Sequence, residues 1–254
     1  TNNPFGVNLP LLYPNIEDHI NIILEEKVKI VFTSAGSPKK YTQILKDNGI
    51  KVVHVVANQK FALKCLDAGV DAIVAEGFEA GGHNGIEEIT TMCLIPQIKS
   101  IVDIPLIAAG GIGSGQSILA AMSLGADGVQ IGSLFAASKE SSAHENFKNL
   151  IVKLTDGDTT LTLKEITPVR MIKNEFYKKI ENAYKNNASK EELVKLLSRG
   201  RAKKGIFEGD LVEGELEIGQ ISAAISGVKS VKEIFTELID GFNSQNNILS
   251  QIKF

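Results

Sequence analysis

The stretch IAAGGIGSGQSILAAMSLGADGVQIGS, residues 107–133, decides the fold. It begins as a short apolar run, reaches the glycine pair Gly110 and Gly111, and continues as an apolar segment at helical spacing. A second short run, DGVQIGS at 127–133, then ends in Gly132 and Ser133. Strand, helix and strand in this order read as a right-handed βαβ unit of a parallel sheet. Glycines at the strand ends bare the backbone, so N–H groups can approach an anion closely. The helix starting near Gly115 adds its positive N-terminal end. Either glycine pair alone reads as ordinary turn chemistry. Two donor nests on consecutive strands suit one phosphate monoester. GxxxxGK[ST] is absent, so a P-loop is not indicated.

Outward from this stretch the same unit repeats. FGVNL is followed by KIVFTSA (29–35), KVVHVVA (51–57), DAIVAEG (71–77) and PLIAAGG (105–111). These runs are rich in β-branched residues and do not alternate, as expected of strands covered on both faces. Amphipathic segments lie between them. NIEDHINIILEE opens at Asn15 as a cap; SPKKYTQILKDNG has Ser37 as cap, Pro38 at the first helical position and Gly49 as stop. Six strands are expected, where a closed barrel of this kind needs eight. Phosphate-binding glycines after the last two strands favour a barrel, because an open doubly wound sheet usually places them after its first strand. The expected fold is therefore α/β, a TIM (β/α)8 barrel whose first two βα units lie upstream of Thr1. Residues 1–139 and 211–254 are assigned to the barrel. The more charged residues 140–210, with Ser189 and Glu192 as a capping box, are expected to form a small helical domain inserted after the last strand. GELEIGQISAAISG is expected to supply the closing barrel helix and SVKEIFTELIDGFNS a C-terminal one.

Composition limits the functions open to such a chain. With 254 residues, 43% of them hydrophobic, one large core is attainable. A net charge of -3 with both signs interspersed argues against a nucleic-acid or membrane surface. Cys65 and Cys93 lack metal-ligand or disulfide spacing and read as buried free thiols, which suits a reducing cytoplasm. No metal site is expected. The partner expected is a small-molecule substrate, with room for a homodimer.

The remaining chemistry lies in AEGFEAGGHNG, residues 75–85. Glu76 ends a strand, Gly81 and Gly82 allow close backbone approach, and His83 can act as acid or base near neutral pH. A flat, polar-edged ring resting on bare backbone fits this arrangement. Strand-end acids such as Glu76 and Glu79 also commonly cap the next helix, and a loop histidine is commonly just solvated. No lysine ends an expected strand, which weakens a Schiff-base mechanism. A non-redox barrel with a phosphate ligand stays open on these residues.

AEGFEAGGHNG, IPLIAAGGI, GADGVQIGS and KESSAHENFK resemble the nitronate monooxygenase family, formerly the 2-nitropropane dioxygenases. They equally resemble its close relative, the flavin-dependent enoyl-acyl-carrier-protein reductase II. The resemblance runs along essentially the whole chain. It implies a TIM barrel that binds flavin mononucleotide (FMN), and oxidation of alkyl nitronates or nitroalkanes to carbonyl compounds and nitrite with O2. The alternative it carries is NAD(P)H-dependent enoyl reduction in fatty-acid synthesis, towards which HNGIEEITTMCLIPQI and PVRMIKNEF lean. It implies His83 as the catalytic residue and Asn8, Glu76, Gly81 and Gly82 as flavin neighbours. Gly111 with Gln130, Ile131, Gly132 and Ser133 would form the phosphate cradle. Gly219 and Gln220 match a recurrent pair to which the resemblance assigns no role.

Overall fold

Short runs of β-branched and small residues pair in the computed structural model, which describes residues 3–252. In chain order the strands are β1 (Gly6–Pro10), β2 (Ile30–Ser34), β3 (Lys51–Val56), β4 (Ala72–Glu76), β5 (Gly82–His83), β6 (Leu106–Ala109), β7 (Gly128–Gln130), β8 (Thr159–Thr162) and β9 (Val169–Ile172). One sheet is six-stranded and parallel, in the order β1-β2-β3-β4-β6-β7, as the six βα units predict. The connecting helices are α1 (Ile16–Glu25), α2 (Thr42–Asp47), α3 (Gln59–Ala68), α4 (Thr91–Lys99) and α5 (Gly115–Ser123). Further on come α6 (Ser133–Ala136), α7 (Glu145–Ile151), α8 (Glu175–Lys185), α9 (Lys190–Leu197), α10 (Arg201–Ile206) and α11 (Val231–Ser250).

The sheet buries its two faces differently. Val31, Val52, Ile73 and Leu106 join Ile20, Leu45, Ala62, Leu94 and Ile98 of the helices in the main core. On the opposite face Val53, Ala72, Val74 and Ala109 form a smaller cluster with Phe32, Val55 and Ile107. His54 is buried on β3 and its Nδ1 lies 2.6 Å from Thr33 Oγ1. Desolvation pulls that imidazole down to about 4, so it is neutral and structural.

Several local expectations need correction. Asn15 does start α1, but in the left-handed region (φ 61°) and without a side-chain cap bond. Pro38 opens a single 3-10 turn, Pro38–Lys40, and α2 proper starts at Thr42, whose hydroxyl donates to the Pro38 carbonyl at 2.6 Å. Cys65 is buried, with its thiol pushed up to about 12, but Cys93 is exposed. The buried stripe of α4 is Thr91, Leu94, Ile95 and Ile98, and at helical spacing position 93 falls outside it.

Residues 140–210 are not purely helical. Their strands β8 and β9 pair antiparallel, and β5 from the loop after β4 completes a separate three-stranded sheet. The β-branched runs TTLT and VRMI carry that preference amid charged helices. The capping box of Ser189 and Glu192 is present at the start of α9. The GELEIGQISAAISG segment is mostly extended. Glu215 and Glu217 alternate with Leu216 and Ile218, Glu217 bridges to Met171, and only Gln220–Ala224 forms a 3-10 turn. Period-two alternation suits extended chain, which is why no full helix closes here.

Helix α11 packs on α5 with Gly115 and Gly241 at the crossing, and a Cβ on Gly115 would lie 2.0 Å from the Phe242 nitrogen. Gly115→Ala should therefore cost about 1–3 kcal/mol as the two helices are forced apart. Urea unfolding followed by circular dichroism measures this. A loss below about 0.5 kcal/mol, the scale of an ordinary surface change, would mean that the helices separate without penalty.

Candidate active site

The C-terminal ends of β4, β6 and β7 meet the segment 217–221 around a cavity of about 290 Å³. Glu76, Gly81, Gly111, Gln130, Gly132 and Ser133 all line it. These come from three chain segments that the parallel topology brings side by side. In register, Glu76 sits opposite Ala109 and Ala109 opposite Gln130.

One wall is backbone. The N–H groups of Gly111, Gly132 and Ser133 find no protein acceptor among the described residues. Gly111 has φ 70°, the left-handed region that glycine adopts without strain. Gly132 has an ordinary backbone (φ -100°, ψ -66°), and a Cβ there would meet nothing within 4 Å. The wall is thus open where a ligand would approach the amides. Donors without side chains in front of them are what a phosphate monoester needs, so the residues present fit the phosphate of FMN.

The opposite wall carries carboxyl groups. Burial pushes Glu76 up to about 7, and Glu217, with a side chain 22% exposed, is pushed up to about 7 by the same cause. Glu215, just behind, is raised to about 7 by burial and by the nearby Glu217. Glu79 is instead committed to the helix-capping role. Its carboxylate accepts from the Thr91 N–H at 3.0 Å and from the Thr91 hydroxyl at 3.2 Å, at the start of α4. Arg170 on β9 donates from Nε to the Phe78 carbonyl at 3.0 Å and stacks its guanidinium over the Phe78 ring. That contact ties the site loop to the second sheet.

The two glycines of the loop serve chain contacts. A Cβ on Gly81 would fall 2.4 Å from the Ile218 carbonyl carbon, so Gly81 packs directly on the Ile218–Gly219 backbone. Gly82 has φ 76° and faces the Glu217 carboxylate, which a Cβ would approach to 3.2 Å. His83 pairs through its backbone with Val169 of β9. Its side chain is 63% exposed, and its Nδ1 lies 3.8 Å from Glu217 Oε1. Partial desolvation of the ring disfavours the cation and holds its pKa below the usual value.

The remaining sequence candidates are placed differently. Asn8 lies exposed on β1, at the far edge of the sheet from β7, on the face shared with Phe32 and outside the cavity lining. Ile131 packs its side chain against the main core, so it can offer a ligand only its backbone. Gly219 and Gln220 acquire a role: the Gly219 N–H donates to Ser133 Oγ at 3.0 Å and the Gln220 N–H to the Glu79 carbonyl at 2.9 Å. They stitch the loops after β4 and β7 together. Glu217, Ile218 and Ile221 are lining residues that sequence reasoning missed. The alternation over 215–218 was the available signal, but nothing in it points to the cavity.

The class that this geometry defines is a parallel α/β protein with unpaired backbone amides and a carboxyl–imidazole pair at its strand ends. The family model for nitronate monooxygenase matches residues 1–241, and the chain belongs to that family. A probable nitronate monooxygenase of Staphylococcus saprophyticus is 35% identical over 216 residues, covering 80% of this chain and 60% of that one. A probable nitronate monooxygenase of Staphylococcus aureus strain N315 is 38% identical over 153 residues, covering 57% and 43%. The chain thus spans about half of these relatives' length. Among solved structures, FabK from Thermotoga maritima is 40% identical with a TM-score of 0.90, covering 98% of this chain and 79% of that one. A nitroalkane oxidase from Streptomyces ansochromogenes shares the fold at 24% identity, with a TM-score of 0.81 over 98% and 83% of the two chains.

The raised carboxyls make stability depend on pH. Glu76 binds its proton more tightly in the folded chain (about 7) than at its ordinary value of 4.5. Its contribution is fully present below the ordinary value and is lost as pH rises towards the folded one. His54, lowered to about 4, acts in the opposite direction between about 4 and 6.5, so the clean readout is a difference. Glu76→Gln removes the titration, and the variant should gain stability relative to wild type as pH rises from about 5 to about 8. Urea midpoints at constant ionic strength measure this, and parallel profiles would contradict the burial of Glu76.

Proposed function

We propose that the chain carries the site of an FMN-dependent oxidoreductase in which His83 handles the substrate proton. The observation that carries this reading is the placement of three unpaired backbone amides across one cavity from Glu76 and Glu217, with His83 beside Glu217. Gly111, Gly132 and Ser133 would hold the phosphate of FMN, with Gln130 and the Ile131 backbone beside them. Glu76 and Gly81 would stand near its ring. When bound, FMN supplies a two-electron acceptor or donor. The protein's part is then to bind and orient, to exclude water, and to move one proton at an imidazole nitrogen.

Family membership and the staphylococcal relatives support oxidation of alkyl nitronates or nitroalkanes to carbonyl compounds and nitrite, with O2 as co-substrate. A neutral nitroalkane must lose a carbon-bound proton, and neutral imidazole suits that task near pH 7. A preformed nitronate has already lost it. The likeness to FabK along 98% of the chain favours a second reading, NAD(P)H-dependent reduction of an enoyl thioester, in which the same imidazole would donate a proton. The mixed surface charge suits a small-molecule substrate, with no nucleic acid or membrane partner, and the unpaired cysteines suit the cytoplasm. The full barrel remains the fold proposed for the site. Homodimer formation is proposed with it.

Two variants test the reading. Gly132→Val keeps an allowed backbone and meets no protein atom, so it should fold normally and yet purify without flavin, read from visible absorbance. Full flavin occupancy would place the phosphate elsewhere. His83→Asn should keep its flavin and lose about 10²- to 10⁴-fold in turnover of a neutral nitroalkane. Turnover of the preformed nitronate should fall much less. Equal losses on both substrates would remove His83 as the base. NADH or NADPH consumption with a crotonyl thioester, and no turnover of either nitro compound, would select the second reading.

A further inference from the structure

His83 is the residue to which a proton-handling role attaches, yet it does not line the cavity. Glu217 does, and it stands between the cavity and the imidazole. We propose that Glu217 is the positioning partner of His83, holding its Nδ1 and so setting which ring nitrogen is free to exchange a proton with substrate. This inference rests on the proposed role of His83.

Three features build the pair into the fold. First, Oε1 of Glu217 is 3.8 Å from His83 Nδ1, longer than a hydrogen bond but within ion-pair reach. Such contacts commonly tighten when a site closes on its ligands. Second, Gly82 makes room for the carboxylate, since a Cβ at that left-handed position would come to 3.2 Å from Glu217 Oε2. Third, both members are anchored on β9. His83 pairs with Val169 and Glu217 bridges to Met171, so two rungs of one strand set their separation. The neighbouring bonds of Gly219 to Ser133 and Gln220 to the Glu79 carbonyl hold the carboxylate's strand in place.

The charged groups around the pair are engaged elsewhere or lie on the carboxylate side. Arg170 is held by the Phe78 carbonyl and ring, Glu88 pairs with Lys164, and Glu87 accepts from Asn58. Glu79 is bound by Thr91. Glu215 and Glu76 are the acids that share Glu217's surroundings, and Glu217 raises the proton affinity of Glu215. Burial alone lifts Glu217 to about 7 and depresses His83. Between the two steps the pair therefore holds one titratable proton, on Glu217. Above the upper step Glu217 is a carboxylate that faces the Nδ1–H of a neutral ring, whose Nε2 is then the basic nitrogen. Two groups that close titrate as a unit.

The test reads the pair without requiring activity. Nitrogen-15 NMR of histidine-labelled full chain follows the His83 ring through pH, its signals assigned by their loss in His83→Asn. In wild type the ring shifts should follow two steps, one near 7 from Glu217 and one below the ordinary histidine value. Above the upper step Nδ1 should carry the proton. Glu217→Gln should abolish the upper step and leave a single one, while Glu217→Asp should restore two. Thermal unfolding confirms that each variant is folded. A single step of unchanged midpoint in wild type and Glu217→Gln would overturn the pairing, whatever the activity. With the pairing established, Glu217→Gln should lower kcat about tenfold or more at little change in KM. Two steps by NMR with unchanged kcat in that variant would overturn the positioning role. Wild type inert towards nitro compounds and enoyl thioesters, with two steps intact, would instead sink the proposed activity.

Discussion

The constraint on which the site depends is the backbone contact of Gly81 with Ile218 and Gly219, where any side chain at position 81 would overlap the opposing chain at 2.4 Å. With nothing between the two backbones, the Gln220 N–H reaches the Glu79 carbonyl and the Gly219 N–H reaches Ser133. Loops distant in sequence, one after β4, one after β7 and one at 217–220, thereby form a single cavity wall. Glu217 is carried into the site by this contact. The orientation of His83 depends on it as well, because the strand that pairs with His83 also bridges to Glu217.

Electrostatics divides the cavity into two ends. At one end bare amides of Gly111, Gly132 and Ser133 present positive dipoles that no side chain covers. At the other, Glu76 and Glu217 hold protons near neutrality because burial disfavours their ionised forms. The lining contains no lysine or arginine to neutralise them. Arg170 on β9 is occupied by Phe78 and braces the loop. Such a division suits a ligand with an anionic group at one end and a neutral, proton-exchanging centre at the other.

The parallel sheet was legible in the amino-acid sequence because each βα unit is a local pattern. Apolar runs without alternation, glycine stops and helical periodicity place β1 to β4, β6 and β7 within one to three residues. The cradle glycines could be found for the same reason, since strand-end position follows from the run that precedes them. The second sheet was harder. Its partner strand β5 is only Gly82–His83, too short to carry a periodic signal, and its hairpin lies within charged helical sequence.

What the sequence determined by itself was therefore the βα order, the glycine-rich strand ends and the presence of an acid and a histidine beside them. Only the tertiary structure decided how those groups are used. Glu79 and Glu76 are both strand-end acids three residues apart, yet one caps α4 and the other stays protonatable in the cavity. Gly81 and Gly82 read as bare backbone for a ligand, yet they make room for Ile218 and Glu217. Asn8, assigned to the same site, lies at the opposite edge of the sheet. The physical reason is range. Helix periodicity and turn chemistry act over a few residues, whereas hydrogen-bond competition, desolvation and backbone contact depend on which distant segment arrives at the same place.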